Sequence, residues 1–320
     1  MRFVFVMDPV HKMLVDKDTS YALMRGATAR GHECLHCELA AVYNEGRRVG
    51  ARVNTVDFTD GQPARLGRAE ELAFEDVDAV FIRKDPPFDA AYAHLTQQLD
   101  LVADRTLIVN SPRGLRDANE KLFAFHFAEL MPKTLVSSDP ARILAFVAAI
   151  GGSAVMKPLD GAGGSGIVSV SHADRNTRAL VDLMTAEGRK LALVQEFLAG
   201  VREGDKRVLM LDGEPLGAIL RVPRDDDFRA NIHVGGIVRP TALTPEEAAL
   251  VSAVGPRLRQ HGLWFVGLDL IGGRLIEVNV TSPTGIQELG RHTGGRPEER
   301  VIEWVERKSR QQRSQGEPKT

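Results

Sequence analysis

Short apolar runs, each closed by a turn residue, dominate the first third of the chain. "FVFVMD" (3–8) ends at Asp8-Pro9, "ECLHCELA" (33–40) alternates, "VDAVFIRK" (77–84) ends at Asp85-Pro86-Pro87, and "TLIVNS" (106–111) is another such run. Between them, 19–30 and 89–103 read as helices, the first stopped by Gly31. Residues 41–58, with Gly46 and Gly50 among alternating polar segments, read as a hairpin excursion. Buried strands alternating with helices predict a parallel α/β sheet, whose ligands sit beyond the strands' carboxyl ends. Asp8, Lys84, Asp85 and Asn110 lie at such ends, although each taken singly reads as a solvated turn residue.

The pattern changes near residue 119. "NEKLFAFHFAEL" (119–130) reads as a helix, "KTLVSS" (133–138) as a strand, and 139–150 as a helix capped by Ser138 or Asp139 with Pro140 next. "SAVMKPL", a glycine-rich loop, "IVSVS", a helix to Gly188 and "LALVQEFL" complete an α+β unit. From 205 strands dominate: "KRVLML", a turn at Asp212-Gly213 and "LGAILRV". A polar segment bounded by Pro223 and Pro240 follows, then a helix over 245–261. "LWFVGLDLI" and "RLIEVNV" meet at Gly272-Gly273, and a last helix over 298–310 precedes a tail, 311–320, that reads as disordered.

Composition narrows the classes. A chain of 320 residues, 43% hydrophobic and 26% charged, suits a soluble protein of two or three domains. A net charge of −2 gives no bulk attraction to nucleic acid or membrane. The first apolar run is cut by Asp8, too early for a signal-peptide core, and the longest uncharged stretch, 143–156, is too short to span a bilayer. The cytoplasm is the expected location. Cys34 and Cys37 form a C-x-x-C pair flanked by His32 and His36. The stretch alternates like a strand, and no second ligand pair exists, so packed thiols are expected rather than a redox or zinc site. The Asn279–Thr281 sequon carries nothing without a secretory signal.

Gly161, Gly163 and Gly166 spell G-x-G-x-x-G. A dinucleotide fingerprint needs a helix next, and "IVSVS" is a strand. A Walker A loop needs Lys-Ser/Thr after its last glycine, where Ile167-Val168 stand. A kinase loop is strand–loop–strand, but no V-A-I-K, H-R-D or D-F-G exists. What remains is a strand–loop–strand turn with free N–H groups able to wrap phosphate, or a plain flexible hairpin.

In "GLDLIGGRLIEVNVTSPTG" (267–285), Glu277 and Asn279 share a strand face. Asp269 opposes Glu277 if an odd-length loop is centred on Gly273, and we expect that loop. Two carboxylates and an amide suit Mg²⁺ bridging phosphates. Ser282-Pro283 reads as a helix start, a place to hold a carboxylate.

Together these stretches resemble the ATP-grasp superfamily, and within it the prokaryotic-type glutathione synthetases. The resemblance is carried by "MDP" (7–9), "IRKDPPFD" (82–89), "LRDANEKLF" (115–123), "MKPLDGAGG" (156–164), "GDKRVLMLDGEP" (204–215) and "FVGLDLIGGRLIEVNVTSPTG" (265–285), in family order. It implies a three-domain α/β (α+β) fold: an N-terminal parallel α/β domain (1–118), a central lid domain (119–203) and a C-terminal catalytic domain (204–310). It implies joining of γ-glutamylcysteine to glycine, with ATP becoming ADP and phosphate, and small-molecule rather than nucleic-acid or membrane partners. A homo-oligomer, commonly a tetramer, is also implied.

By the same resemblance Lys121 and Lys157 contact ATP phosphates, under a loop of Gly161, Gly163, Gly164, Ser165 and Gly166. Gln195, Glu196, Phe197 and Leu198 lie on the adenine, and Asp205 is near the ribose. Asp269, Glu277 and Asn279 hold Mg²⁺, with Mn²⁺ as the alternative ion. Arg207, Arg221, Arg229 and Asn231, with the turn Thr281, Ser282, Pro283 and Thr284, bind the substrate carboxylate and acyl phosphate; the three arginines carry the catalytic role. Residues 223–240 read as a second lid. There the chain departs from the family pattern at Ala230, at Ile232-His233-Val234 and at Ile237, and it drifts again in "GRHTGGRPEER" (290–300). The altered lid leaves open a ligase for another peptide or amine. A non-catalytic ATP-binding protein and a phosphotransferase are further alternatives.

Overall fold

The computed structural model describes residues 1–59, 61–161, 163–223 and 236–316. Among these, the strands form three sheets. The first is built from β1 (Arg2–Met7), β2 (Glu33–Cys37), β3 (Val42–Glu45), β4 (Arg48–Asp57), β5 (Arg65–Ala73), β6 (Ala79–Arg83) and β7 (Leu107–Val109). Its order is β3-β4-β2-β1-β6-β7, with β5 also on β4. Pairings β1–β2, β1–β6 and β6–β7 are parallel, as the apolar runs predict; α1 (Thr19–Ala29) lies between β1 and β2, α2 (Ala90–Asp100) between β6 and β7, and α3 (Pro112–Asp117) follows β7. The expected hairpin at 41–58 exists, but β5 joins it as a third antiparallel strand. Its sequence, "RLGRAEELA", carries four charges in nine residues, and only Leu72 and Ala73 at its end are buried.

The second sheet runs β10-β9-β11-β8, from β8 (Thr134–Ser137), β9 (Ser153–Pro158), β10 (Val168–Ser171) and β11 (Ala192–Glu196). Helices α4 (Pro140–Ala149) and α5 (Thr177–Met184) cover it with a small core of its own that includes Ile143, Val147, Met156, Val181 and Val194. Asp139 caps α4, accepting from the Ala141 and Arg142 amides, with Pro140 at the first helical position.

The third sheet runs β14-β13-β12-β15-β16, from β12 (Asp205–Leu211), β13 (Glu214–Val222), β14 (Ile237–Pro240), β15 (Phe265–Ile271) and β16 (Arg274–Asn279). Helices α6 (Pro245–Gln260), α7 (Ile286–Thr293) and α8 (Pro297–Gly316) belong to this half of the chain. Its apolar face is continuous with that of the first sheet: Val4, Val80 and Ile82 share one buried cluster with Val208, Leu268 and Val278.

Four expectations need correction. The segment 119–130 is not an α-helix but a pair of 3-10 turns over Phe123–Leu130, broken at Phe127. The Glu120 carbonyl, which an α-helix would spend on Ala124, accepts from the Val278 amide at 3.0 Å instead. The hairpin before Asn279 closes with the two-residue turn Gly272-Gly273, both at positive φ, and not with an odd-length loop. A bulge then shifts the register after Leu270, so that Asp269 still opposes Glu277. Ser282-Pro283 does not start a helix. Gly285, at φ 115°, interrupts the path, and α7 begins at Ile286. Finally, α8 continues through Gly316, where a disordered tail from 311 was expected; Gln312 bonds the Ala103 carbonyl at 2.8 Å and Arg313 pairs with Asp78 at 3.0 Å. Residues 317–320 lie outside the described residues.

Cys34 and Cys37 are buried free thiols on β2, and burial pushes both up to about 12. Folded protein at pH 8 should therefore show almost no thiol reactive to Ellman's reagent, and denatured protein two per chain. Rapid labelling of the native state would contradict the packed reading.

Candidate active site

Residues of the second and third sheets, with Asp85 and Pro86 from the loop after β6, converge on one cavity of about 430 Å³. The third sheet supplies its charged wall through strand register. β12 against β13 places Asp205 opposite Arg221, and β12 against β15 places Arg207 opposite Asp269. Asp205 and Arg207, two apart on β12, share a face. The result is a buried chain of ion pairs. Arg221 grips Asp205 through Nε and one terminal nitrogen, at 2.6 and 2.7 Å. It also reaches Asp269 Oδ2 at 3.0 Å. Arg207 grips Asp269 at 2.5 and 2.9 Å. Burial alone would raise the Asp269 carboxyl, but Arg207 and Arg221 hold it well below the usual range. These two guanidinium groups thus favour the ionised form of Asp269. Asn279 donates to Asp269 Oδ2 and to the Gly267 carbonyl, both at 3.2 Å.

Two lysines come from elsewhere. Lys121 reaches Glu277 Oε1 at 3.1 Å and the Gly161 carbonyl at 2.6 Å. Lys157, on β9, donates to Gln195 Oε1 on β11 at 3.1 Å. Burial pulls its ammonium below the ordinary value, offset in part by Glu277. Among the described residues this buried cation bonds a neutral partner, and a cation so placed favours an arriving phosphate. The glycine loop joins β9 to β10 as a strand–loop–strand turn, with Gly163, Gly164 and Gly166 at positive φ. A Cβ at Gly161 would lie 2.6 Å from Pro158 Cγ, so the loop folds back on its own strand.

The cavity lining includes Lys121, Lys157, Gly161, Gly163, Gly164, Ser165, Gln195, Glu196, Phe197, Leu198, Asp205, Arg207, Arg221, Asp269, Glu277, Asn279 and Thr281 to Thr284. Gly166 is not among the lining residues. Arg229 and Asn231 lie outside the described residues, as does most of the expected lid; its last part, from Ile237, is strand β14.

The lining also holds Asp85, one of the strand-end residues, and residues the sequence did not single out. Glu120 accepts from the Val280 and Thr281 amides and the Thr281 hydroxyl, at 3.0, 3.1 and 2.8 Å, and so fixes the start of the 281–284 turn. Its place beside Lys121 was the available signal. Asp85 and Pro86 line the side towards the first sheet. Val155, Ile271 and Ile276 form apolar wall, and on a strand such residues read as core. Of the other strand-end residues, Asp8 pairs with Lys84 at 3.1 Å, and buried Asn110 bonds Phe265 and the Val280 carbonyl. Those three shape the frame rather than the cavity.

Comparison with known proteins decides the family. The chain matches the model of the prokaryotic glutathione synthetase N-terminal domain over residues 1–116, and that of the prokaryotic glutathione synthetase ATP-grasp domain over 120–294. It belongs to the prokaryotic glutathione synthetase family. The glutathione synthetase of Synechocystis sp. is 41% identical over 319 residues, covering 96% of this chain and 99% of that one. That of Gloeobacter violaceus is 43% identical, covering 95% and 96%. Among solved structures, D-cycloserine synthetase DcsG matches with a TM-score of 0.66 at 16% identity, over 95% of this chain and 99% of that one. The ATP-grasp ligase PsnB matches at 0.62 and 18%, over 96% and 98%. These distant matches establish the ATP-grasp fold.

Family membership implies ATP and a divalent cation, and the charge of the cavity fits both. Six acidic side chains (Asp85, Glu120, Glu196, Asp205, Asp269, Glu277) face four basic ones among the described lining residues. A polyphosphate entering that field needs added positive charge. Asp269, Glu277 and Asn279 offer a purely oxygen donor set, the type a hard cation takes.

Arg221→Met should leave Asp205 buried without its partner and destabilise the protein by about 3–5 kcal/mol. Urea unfolding measures this; a loss under about 1 kcal/mol would show that the ion-pair chain is not the support described here.

Proposed function

We propose that this cavity joins γ-glutamylcysteine to glycine through an acyl phosphate, as an ATP-dependent carboxylate–amine ligase forming glutathione. The observation that carries the reading is the convergence of Lys121, Lys157, Arg207 and Arg221 on a cavity that also holds Asp269, Glu277 and Asn279. Sheets one, two and three correspond in this reading to domains 1–118, 119–203 and 204–310. ATP lies between the second and third, its base against Gln195–Leu198 and its ribose near Asp205. Lys121, Lys157 and the loop from Gly161 to Gly166 hold its phosphates.

The donor carboxylate attacks the γ-phosphorus, and ADP leaves with the bridging oxygen. The glycine amine then attacks the acyl carbon, loses a proton, and expels phosphate. Charge stays on oxygen throughout, so fixed cations supply the main stabilisation. Arg207 and Arg221, with Arg229, meet the carboxylate and the transferred phosphoryl group. Asn231 and the turn Thr281, Ser282, Pro283 and Thr284 orient the donor. Asp269, Glu277 and Asn279 would hold Mg²⁺ or Mn²⁺, which neutralises phosphate charge when bound. Exclusion of water from the cavity protects the acyl phosphate from hydrolysis. Free thiols at Cys34 and Cys37 suit a reducing compartment, and we place the enzyme in the cytoplasm. Assembly as a homo-oligomer belongs to the same reading.

A coupled assay of phosphate release with ATP, Mg²⁺ and γ-glutamylcysteine, with and without glycine, tests the substrates. Glycine-dependent release with a tripeptide of the mass of glutathione is expected. Release that ignores glycine would point to a different amine. Glu277→Ala should lower turnover by at least ~100-fold; full activity at low metal in that variant would remove Glu277 from the metal site.

A further inference from the structure

Arg83 ends β6 and is 4% exposed, yet nothing in the chemistry above uses it. Its Nε donates to the Ser20 hydroxyl at 3.1 Å, in the first turn of α1. One terminal nitrogen donates to the Pro283 carbonyl at 3.0 Å, across 200 residues of chain. The other is buried with no hydrogen-bond partner among the described residues. The guanidinium lies 5.8 Å from the Phe265 ring centroid. Among the described residues no carboxylate is within ion-pair distance of it. Burial pulls it below its ordinary pKa, and Asp18 and Asp85 oppose this from farther away.

A cation buried this way is costly, and an apolar side chain would continue the "AVFI" of β6 more cheaply. What an apolar residue cannot supply is two directional bonds from one rigid plane. Those bonds tie α1, in the first-sheet half, to the turn that follows β16. A lysine offers one charged point on a flexible stem and cannot span both acceptors in the same way. The tied carbonyl sits in the middle of the 282–284 turn, which lines the cavity together with Asp85 and Pro86. Gln195 to Leu198, assigned above to the nucleotide, belong to the second sheet and its exit.

We propose that Arg83 is a positioning residue for the peptide donor: it sets the Ser282–Thr284 turn from behind and leaves nucleotide binding untouched. The inference rests on the ligase reading, because it needs that turn to face the donor.

The test compares wild type, Arg83→Met, Arg83→Lys and Ser20→Ala. Steady-state KM for γ-glutamylcysteine is measured beside calorimetric Kd for a non-hydrolysable ATP analogue with Mg²⁺. In Arg83→Met the donor KM should rise at least about tenfold while the nucleotide Kd stays within about twofold. Arg83→Lys should remain within about threefold of Arg83→Met. Ser20→Ala should shift the donor KM in the same direction by a smaller factor. An unchanged donor KM, an equal rise in both constants, or full recovery by lysine would overturn the proposal. If Arg83→Met is not recovered folded, Ser20→Ala decides: a donor-only rise supports it, and no change overturns it. A wild-type enzyme that releases no phosphate with γ-glutamylcysteine would instead defeat the ligase reading on which it rests.

Discussion

The constraint on which the site depends is the alternating row of buried charges Asp205–Arg221–Asp269–Arg207. Three antiparallel strands carry it, and their register is what makes each acid meet a base. A one-residue slip of any of these strands would put its charges on the opposite face, among Val208, Leu268 and Val278. Burying unpaired ions there would cost several kcal/mol each, comparable with the stability of a whole domain. The charged row therefore fixes register as well as preparing a field for phosphate. The bulge after Leu270 belongs to the same logic. It absorbs the mismatch between a two-residue glycine turn and the need to bring Glu277 opposite Asp269.

Around this wall the other two sheets have different parts. The first shares an apolar cluster with the third, so together they make a broad base. The second keeps a small core of its own and reaches the site through Lys157, the glycine loop and the strand end at Gln195–Leu198. Lys121, in the connection between first and second sheets, touches both the loop carbonyl of Gly161 and Glu277. Asp269 and Glu277 are each paired with a side chain of the protein itself. Arg207 occupies Asp269 and Lys121 occupies Glu277.

Much of this could be read from the residues. The apolar runs "FVFVMD", "VDAVFIRK" and "TLIVNS" made the parallel sheet visible, and "IVSVS" after the glycines excluded a dinucleotide site. Two of the errors share a cause: long-range bonds overrode local preference. Glu120 spends its carbonyl and carboxylate on Val278, Val280 and Thr281, so 119–130 cannot form a regular helix. Pro283 gives its carbonyl to Arg83, and Gly285 turns left-handed, so Ser282-Pro283 cannot cap α7. The polar strand β5 carries no hydrophobic alternation to announce it. The apolar wall of Val155, Ile271 and Ile276 is invisible for the opposite reason, since core and cavity use the same residues.

The central claim is that the donor carboxylate is activated by phosphorylation inside this cavity. Its direct test is oxygen transfer. The donor is prepared with ¹⁸O in the carboxylate that joins glycine, and the released phosphate is analysed by mass. Attack on the γ-phosphorus followed by displacement by the amine moves one carboxylate oxygen into each phosphate formed, and that result is predicted. Phosphate free of ¹⁸O, with the oxygen lost from the carboxylate recovered in water, would contradict the account.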